Sequence, residues 1–118
     1  MDGRAEQLRR RTKDFANRVI RLFRALPRAT EAQVIGKQLL RSGTSVGANY
    51  RAACRARSRV EFVAKLGVVV EEADETIYWM ELLADNNIVS ARRLQGLLAE
   101  AHELTAIFTA AQRTTRAR

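Results

Sequence analysis

An all-α fold, an antiparallel up-down-up-down four-helix bundle, is predicted by three features of this sequence. Four long stretches repeat apolar side chains at helical spacing. One proline and six glycines are too few to punctuate a β-rich chain of 118 residues. The stretches are joined by short polar connections, which make consecutive helices neighbours. The length suits one domain over residues 1–118 with a modest core, and no internal repeat is visible.

The first helix is expected from about Ala5 to Leu26. Leu8, Phe15, Val19, Leu22 and Leu26 recur on one face, and Pro27 closes the run. Arg11, Arg18, Arg21 and Arg28 recur together on another face. They form either a solvated charged face or a track for a polyanion. The second helix is expected from about Glu31 to Arg55, with Thr30 as its cap and Glu31 at the positive end of its dipole. Ile35, Leu39, Ser42, Val46, Asn49 and Ala53 mark its inner side. Ser42 to Asn49 (SGTSVGAN) is a poor intrinsic helix former, yet the periodicity runs through it, so one helix is expected, bent at most near Gly43 or Gly47. Its small side chains permit close approach by another helix. Lys37, Arg41, Arg51 and Arg55 bracket Thr44 and Ala48 on the outer side.

Ser58-Arg-Val-Glu61 is a capping box that opens a third helix over about Arg59–Asp85. Its core stripe is Phe62, Leu66, Val69, Ala73, Ile77, Met80 and Leu83. Val63, Val68, Val70, Trp79 and Leu82 fall outside that stripe. A helix apolar around most of its girth needs cover on more than one side, which a lone bundle does not provide. The surplus implies a homo-oligomer with Val68, Val70 and Trp79 at the interface. Glu71, Asp74, Glu81 and Asp85 form an acidic strip on the same helix. Asn86-Asn87 reads as a turn, and Ser90 caps a fourth helix over about Ala91–Gln112. Leu94, Leu97, Leu98, Ala101, Leu104, Ile107 and Phe108 form its apolar side, and Arg113 to Arg118 are expected to fray.

Charge is unevenly divided. Met1–Arg59 holds 15 Lys/Arg against 4 Asp/Glu, whereas Val60–Arg118 holds 6 against 9. This segregation creates a field suited to polyanions, to an acidic protein surface, or to pairing between copies of the chain. Arginine far outnumbers lysine, which suits bidentate contacts to phosphate or carboxylate, although a G+C-rich genome produces the same bias.

The residues for catalysis are sparse. Inward-facing di-metal sites need paired Glu-x-x-His segments. The one histidine, His102, is preceded three residues earlier by Ala99, so no metal or cofactor is expected. Cys54 is alone among alanines and reads as a packed side chain. Gly36-Lys37 lacks the preceding glycine and strand of a phosphate loop. An enzyme is therefore not expected. The single cysteine, an N-terminus without an apolar signal core, and the lack of any apolar run of bilayer length point to the cytoplasm.

The stretch from Ile35 to Tyr50, followed by Arg55 to Leu66, resembles the bacterial four-helix proteins called 23S rRNA-intervening-sequence proteins. Ser45, Val46, Ala48 and Asn49 match the end of that family's second helix, and Ser58, Glu61 and Phe62 match the opening of its third. Gly47 stands where a proline is usual, and Cys54-Arg55 where an acidic-glycine pair is common. The resemblance covers about Phe15 to Phe108. It implies a pentamer of four-helix bundles and, through the more distant accessory variability protein of diversity-generating retroelements, a link to nucleic acid. It implies no particular activity. The resulting expectation is a non-enzymatic basic homo-oligomer that binds RNA or DNA nonspecifically. Arg11, Arg18, Arg21, Lys37, Arg41, Arg51 and Arg55 are the candidate phosphate contacts. The alternative is a scaffold whose arginines meet acidic protein surfaces without nucleic acid.

Overall fold

Residues 3–118 are described by the structure, a computed structural model; Met1 and Asp2 of the expected domain lie outside the described residues. The described residues form four helices and no strand: α1 (Gly3–Arg24), α2 (Thr30–Cys54), α3 (Arg59–Asp85) and α4 (Ala91–Ala117).

The ends of these helices follow from local chemistry, with three departures from expectation. α1 stops at Arg24 rather than Leu26, because Pro27 disfavours helical backbone in the residue before it. A tighter final turn forms instead, in which Ala25 and Leu26 donate to the carbonyls of Leu22 and Phe23 at 3.1 Å. Thr30 does not cap α2. Ala29 occupies that position without any side-chain cap, and Thr30 is already helical. The entry is held by the Gln33 side-chain amide, which donates to the Pro27 carbonyl at 2.9 Å. The third departure is α4, which continues to Ala117 where fraying was expected from Arg113. Gln112 fastens it by donating from Nε2 to the Val63 carbonyl at 3.1 Å, and Ala111 packs against the core.

The other end signals act as read. Ser58 accepts from the Glu61 amide at 3.0 Å, while the Glu61 carboxylate accepts from the backbone of Arg57, one residue before the cap. Ser90 accepts from the Arg93 amide at 3.2 Å. Asn87 takes a left-handed conformation (φ 57°) that closes the turn between α3 and α4.

One core runs through all four helices, centred on Phe15, Leu39, Val46, Leu66, Met80, Leu94, Leu104 and Phe108. Tyr50 meets Phe108 with ring centroids 4.9 Å apart. Each helix packs most extensively on its neighbour in sequence, and α1 meets α4 least. Two polar positions join the core in ways the apolar stripes did not reveal. Thr12 is fully buried and donates to the Leu8 carbonyl at 2.8 Å. Thr76 donates to the Glu72 carbonyl at 2.7 Å and lies 2.9 Å from the Ser42 hydroxyl, linking α3 to α2.

α2 continues unbroken through Ser42–Asn49. There Thr44, Ser45 and Asn49 hydrogen-bond carbonyls one turn back, so their polar groups stay within the helix instead of competing with it. The glycines face α1 at close quarters. A Cβ on Gly43 would stand 2.8 Å from both methyl carbons of Val19, and one on Gly47 would stand 3.1 Å from the Thr12 hydroxyl. Gly36 meets the side chains of Leu26 and Phe23 in the same way.

Gly43→Ala should cost about 1–3 kcal/mol in denaturant unfolding through overpacking, even though alanine is the better helix former. Pairing it with Val19→Ala should cost less than the two single changes added together, because the methyl then has room. Additive losses would contradict the close approach of α1 and α2.

Candidate nucleic-acid interface

Helical periodicity groups basic residues on a face but does not say which neighbour that face meets. The structure divides the candidates among three environments. On α1, Arg11 and Arg18 turn toward α4; Lys37, Arg41 and Arg51 of α2, and Arg55 just after it, lie on the outside of the bundle.

Two of the seven candidates are tied to carboxylates of their own chain. Arg11 makes a bidentate contact to Glu100 of α4, Nη2 to Oε1 at 2.7 Å and Nε to Oε2 at 3.1 Å, and reaches Glu103 at 3.1 Å. The hydrogen bond to Glu100 holds the Arg11 guanidinium above its ordinary range, outweighing the opposing effect of burial. Arg41 bridges α2 and α3 through Glu72 at 3.2 Å and through Glu75. Glu75 also accepts from the indole nitrogen of Trp79 at 3.1 Å.

Of the remaining candidates, Arg51 borders a groove between α1 and α2. It measures about 460 Å³ and is lined by Glu6, Arg9, Arg10, Lys13, Arg51 and the small residues Thr12, Ala16, Thr44, Gly47 and Ala48. The small side chains, Thr12 and Ala16 from α1 and the rest from α2, form the floor. Glu6 is the one carboxylate in the lining and is paired with Arg10 at 3.0 Å. Arg9 and Lys13 come from α1 beside Arg51 of α2. Neither was singled out from sequence, since both fall outside the register that groups Arg11, Arg18 and Arg21. Exposed Lys37 and Arg55 continue the basic outer side of α2 toward its two ends.

Arg18 and Arg21 stand elsewhere, at a cleft between α1 and α4 with Arg93. The seven candidates therefore do not form one continuous surface. Among the proposed interface residues, Val68 is exposed, whereas Val70 and Trp79 are half-buried against the core of their own chain. Tyr78 at 52% and Val60 at 80% are more exposed than any of these, and both lie on α3. Tyr78 packs edge-on against Trp79 with centroids 5.0 Å apart. His102 is exposed and Cys54 half-buried, and no three His, Cys, Asp or Glu among the described residues are grouped to hold a metal ion. Among the same residues no helix is long and apolar enough to cross a membrane.

Comparison with known proteins supplies a frame for these features. The family model described as "23S rRNA-intervening sequence protein" matches residues 5–110. No curated protein matches the chain significantly. Four chains of solved structures do match. One is a protein of unknown function from the S23 ribosomal protein family of Bacteroides thetaiotaomicron. It is 32% identical, covers 92% of this chain and 97% of its own, and superposes with a TM-score of 0.86.

A double-mutant cycle on Arg11→Met and Glu100→Gln should give a coupling of about 1 kcal/mol in unfolding free energy, as for a bidentate, partly exposed pair. A coupling near zero would mean that Arg11 is not committed to α4 in solution.

Proposed function

The chain belongs to the 23S rRNA-intervening sequence protein family, and from its basic groove we propose that it binds RNA or DNA nonspecifically through backbone phosphates. It acts in the cytoplasm as a non-enzymatic, homo-oligomeric, antiparallel four-helix bundle. The observation that carries this reading is the α1–α2 groove. Arg9, Lys13 and Arg51 surround a floor of small side chains with a single, already paired carboxylate. Each uncommitted cation can neutralise one phosphate, and the shallow floor lets a nucleic-acid backbone approach. No aromatic platform or base-reading helix accompanies the groove, so charge and shape are what it recognises.

The up-down-up-down arrangement is supported by the pairing of positions. Val19 meets Gly43 and Thr12 meets Gly47, so the chain descends α1 as it climbs α2. Oligomerisation is supported by Val68, Tyr78 and Val60, apolar side chains on α3 that the bundle leaves uncovered. A pentamer is the closed ring that the family resemblance implies. A second reading, a scaffold without nucleic acid, rests on the exposed α3 acids Glu71, Asp74, Glu81 and Asp85, which can meet arginines of another copy or of another protein.

Arg9→Glu with Arg51→Glu should weaken retardation of two unrelated RNAs to the same extent. The slope of log affinity against log salt should become shallower by about one for each lost contact. If the wild-type protein retards neither RNA nor DNA at low salt, the scaffold reading replaces this one. Tyr78→Glu should dissociate the assembly in light scattering while leaving the helical circular-dichroism signal intact. A monomeric wild-type protein at micromolar concentration would rule out the oligomer.

A further inference from the structure

The seam between α1 and α4 changes character along its length. At the level of Arg11, α4 presents Glu100 and Glu103, and the guanidinium is satisfied three times over. Two turns further along α1, at Arg18, α4 presents Gly96 and Arg93 instead. Arg18 is half-buried, and its Nη2 lies 3.3 Å from where a Cβ on Gly96 would be, so the side chain lies against bare α4 backbone. Arg21 and Arg93 line the same cleft, whose walls are otherwise Leu22, Leu94, Leu97 and Gly96. No carboxylate is in the lining, and among the described residues none of the three arginines makes an ion pair.

Three guanidiniums line one open cleft of about 300 Å³, and like charges gathered there repel one another. The neighbouring stretch of the same seam shows that α4 can supply carboxylates to α1. The arrangement becomes favourable when a compact anion sits between the guanidiniums, whose forked donors match the oxygens of phosphate. The cleft is too small and too localised to follow a polynucleotide backbone, and it faces α4 rather than the α1–α2 groove. It is suited to one phosphate or diphosphate group.

We propose that Arg18, Arg21 and Arg93 form a binding site for a phosphate or diphosphate group, separate from the α1–α2 groove. The group is either a free phosphate compound or the terminal phosphate of a nucleic-acid strand. Gly96 keeps the cleft open, since a side chain there would press on the Arg18 guanidinium.

The full-length protein is titrated with inorganic pyrophosphate at low ionic strength by calorimetry, with sulfate as a control for charge alone. Wild type should bind pyrophosphate in preference to sulfate. Arg18→Gln and Arg93→Gln should each weaken binding about tenfold, as expected for losing one charge-assisted contact. Arg93 is exposed in the first turn of α4, so its replacement leaves the core untouched and reports on the site even if Arg18→Gln unfolds the chain. An Arg9→Glu/Arg51→Glu protein should still bind pyrophosphate, which separates this site from the groove. Oligonucleotides of one sequence with a 5′-phosphate or a 5′-hydroxyl distinguish the sources. Tighter binding of the phosphorylated strand, abolished by Arg93→Gln, identifies a strand terminus. Equal binding of the two strands alongside pyrophosphate binding identifies a free phosphate compound. No pyrophosphate binding by wild type, or binding unchanged in Arg93→Gln, overturns the proposal.

Discussion

The close approach of α1 and α2 is the constraint on which the rest of this bundle depends. Gly36, Gly43 and Gly47 give up side chains so that Phe23, Val19 and Thr12 of α1, and Leu26 just beyond it, can rest on α2 backbone. That contact fixes the rotation of α1. The rotation in turn decides that Arg9 and Lys13 edge the groove beside α2 while Arg11 and Arg18 turn to α4. A segment with poor helix propensity is tolerated because tertiary packing outweighs a few tenths of a kcal/mol per residue. The same small residues leave the shallow floor over which a ligand backbone can pass.

Electrostatics are layered on this scaffold unevenly. Arg11 and Arg41 spend their charge joining α1 to α4 and α3 to α2. Such partly exposed pairs add little to stability singly, but they withdraw two strong cations from any ligand. What remains is a basic surface over α1 and the outside of α2, opposed by uncommitted acids on α3.

The number, order and approximate span of the helices could be read from apolar spacing, from Pro27, and from the Ser58 and Ser90 caps. The uses of these signals that failed were those decided by neighbours in space. Thr30 has the side chain of a cap but lies one residue inside the helix, where its hydroxyl cannot serve. The basic end of α4 looked set to fray, yet Gln112 finds a carbonyl on α3. Thr12 escaped notice because a hydroxyl that satisfies itself on its own helix is free to join a core. The arginine track failed as one surface for the same reason. Period and register group Arg11, Arg18 and Arg21, but the carboxylates of Glu100 and Glu103, 89 and 92 residues away in sequence, decide what Arg11 does.

The order of packing also bears on how the molecule assembles. Nearly all of its burial is between helices adjacent in the chain, so three neighbouring pairs can form without a search across distant segments, a topology associated with rapid folding. The α1–α4 seam is different. It joins the two ends of the chain, is the sparsest contact, and holds like charges at one level and opposite charges at another. It is therefore expected to close last and open first, before either terminal helix leaves its neighbour in the chain.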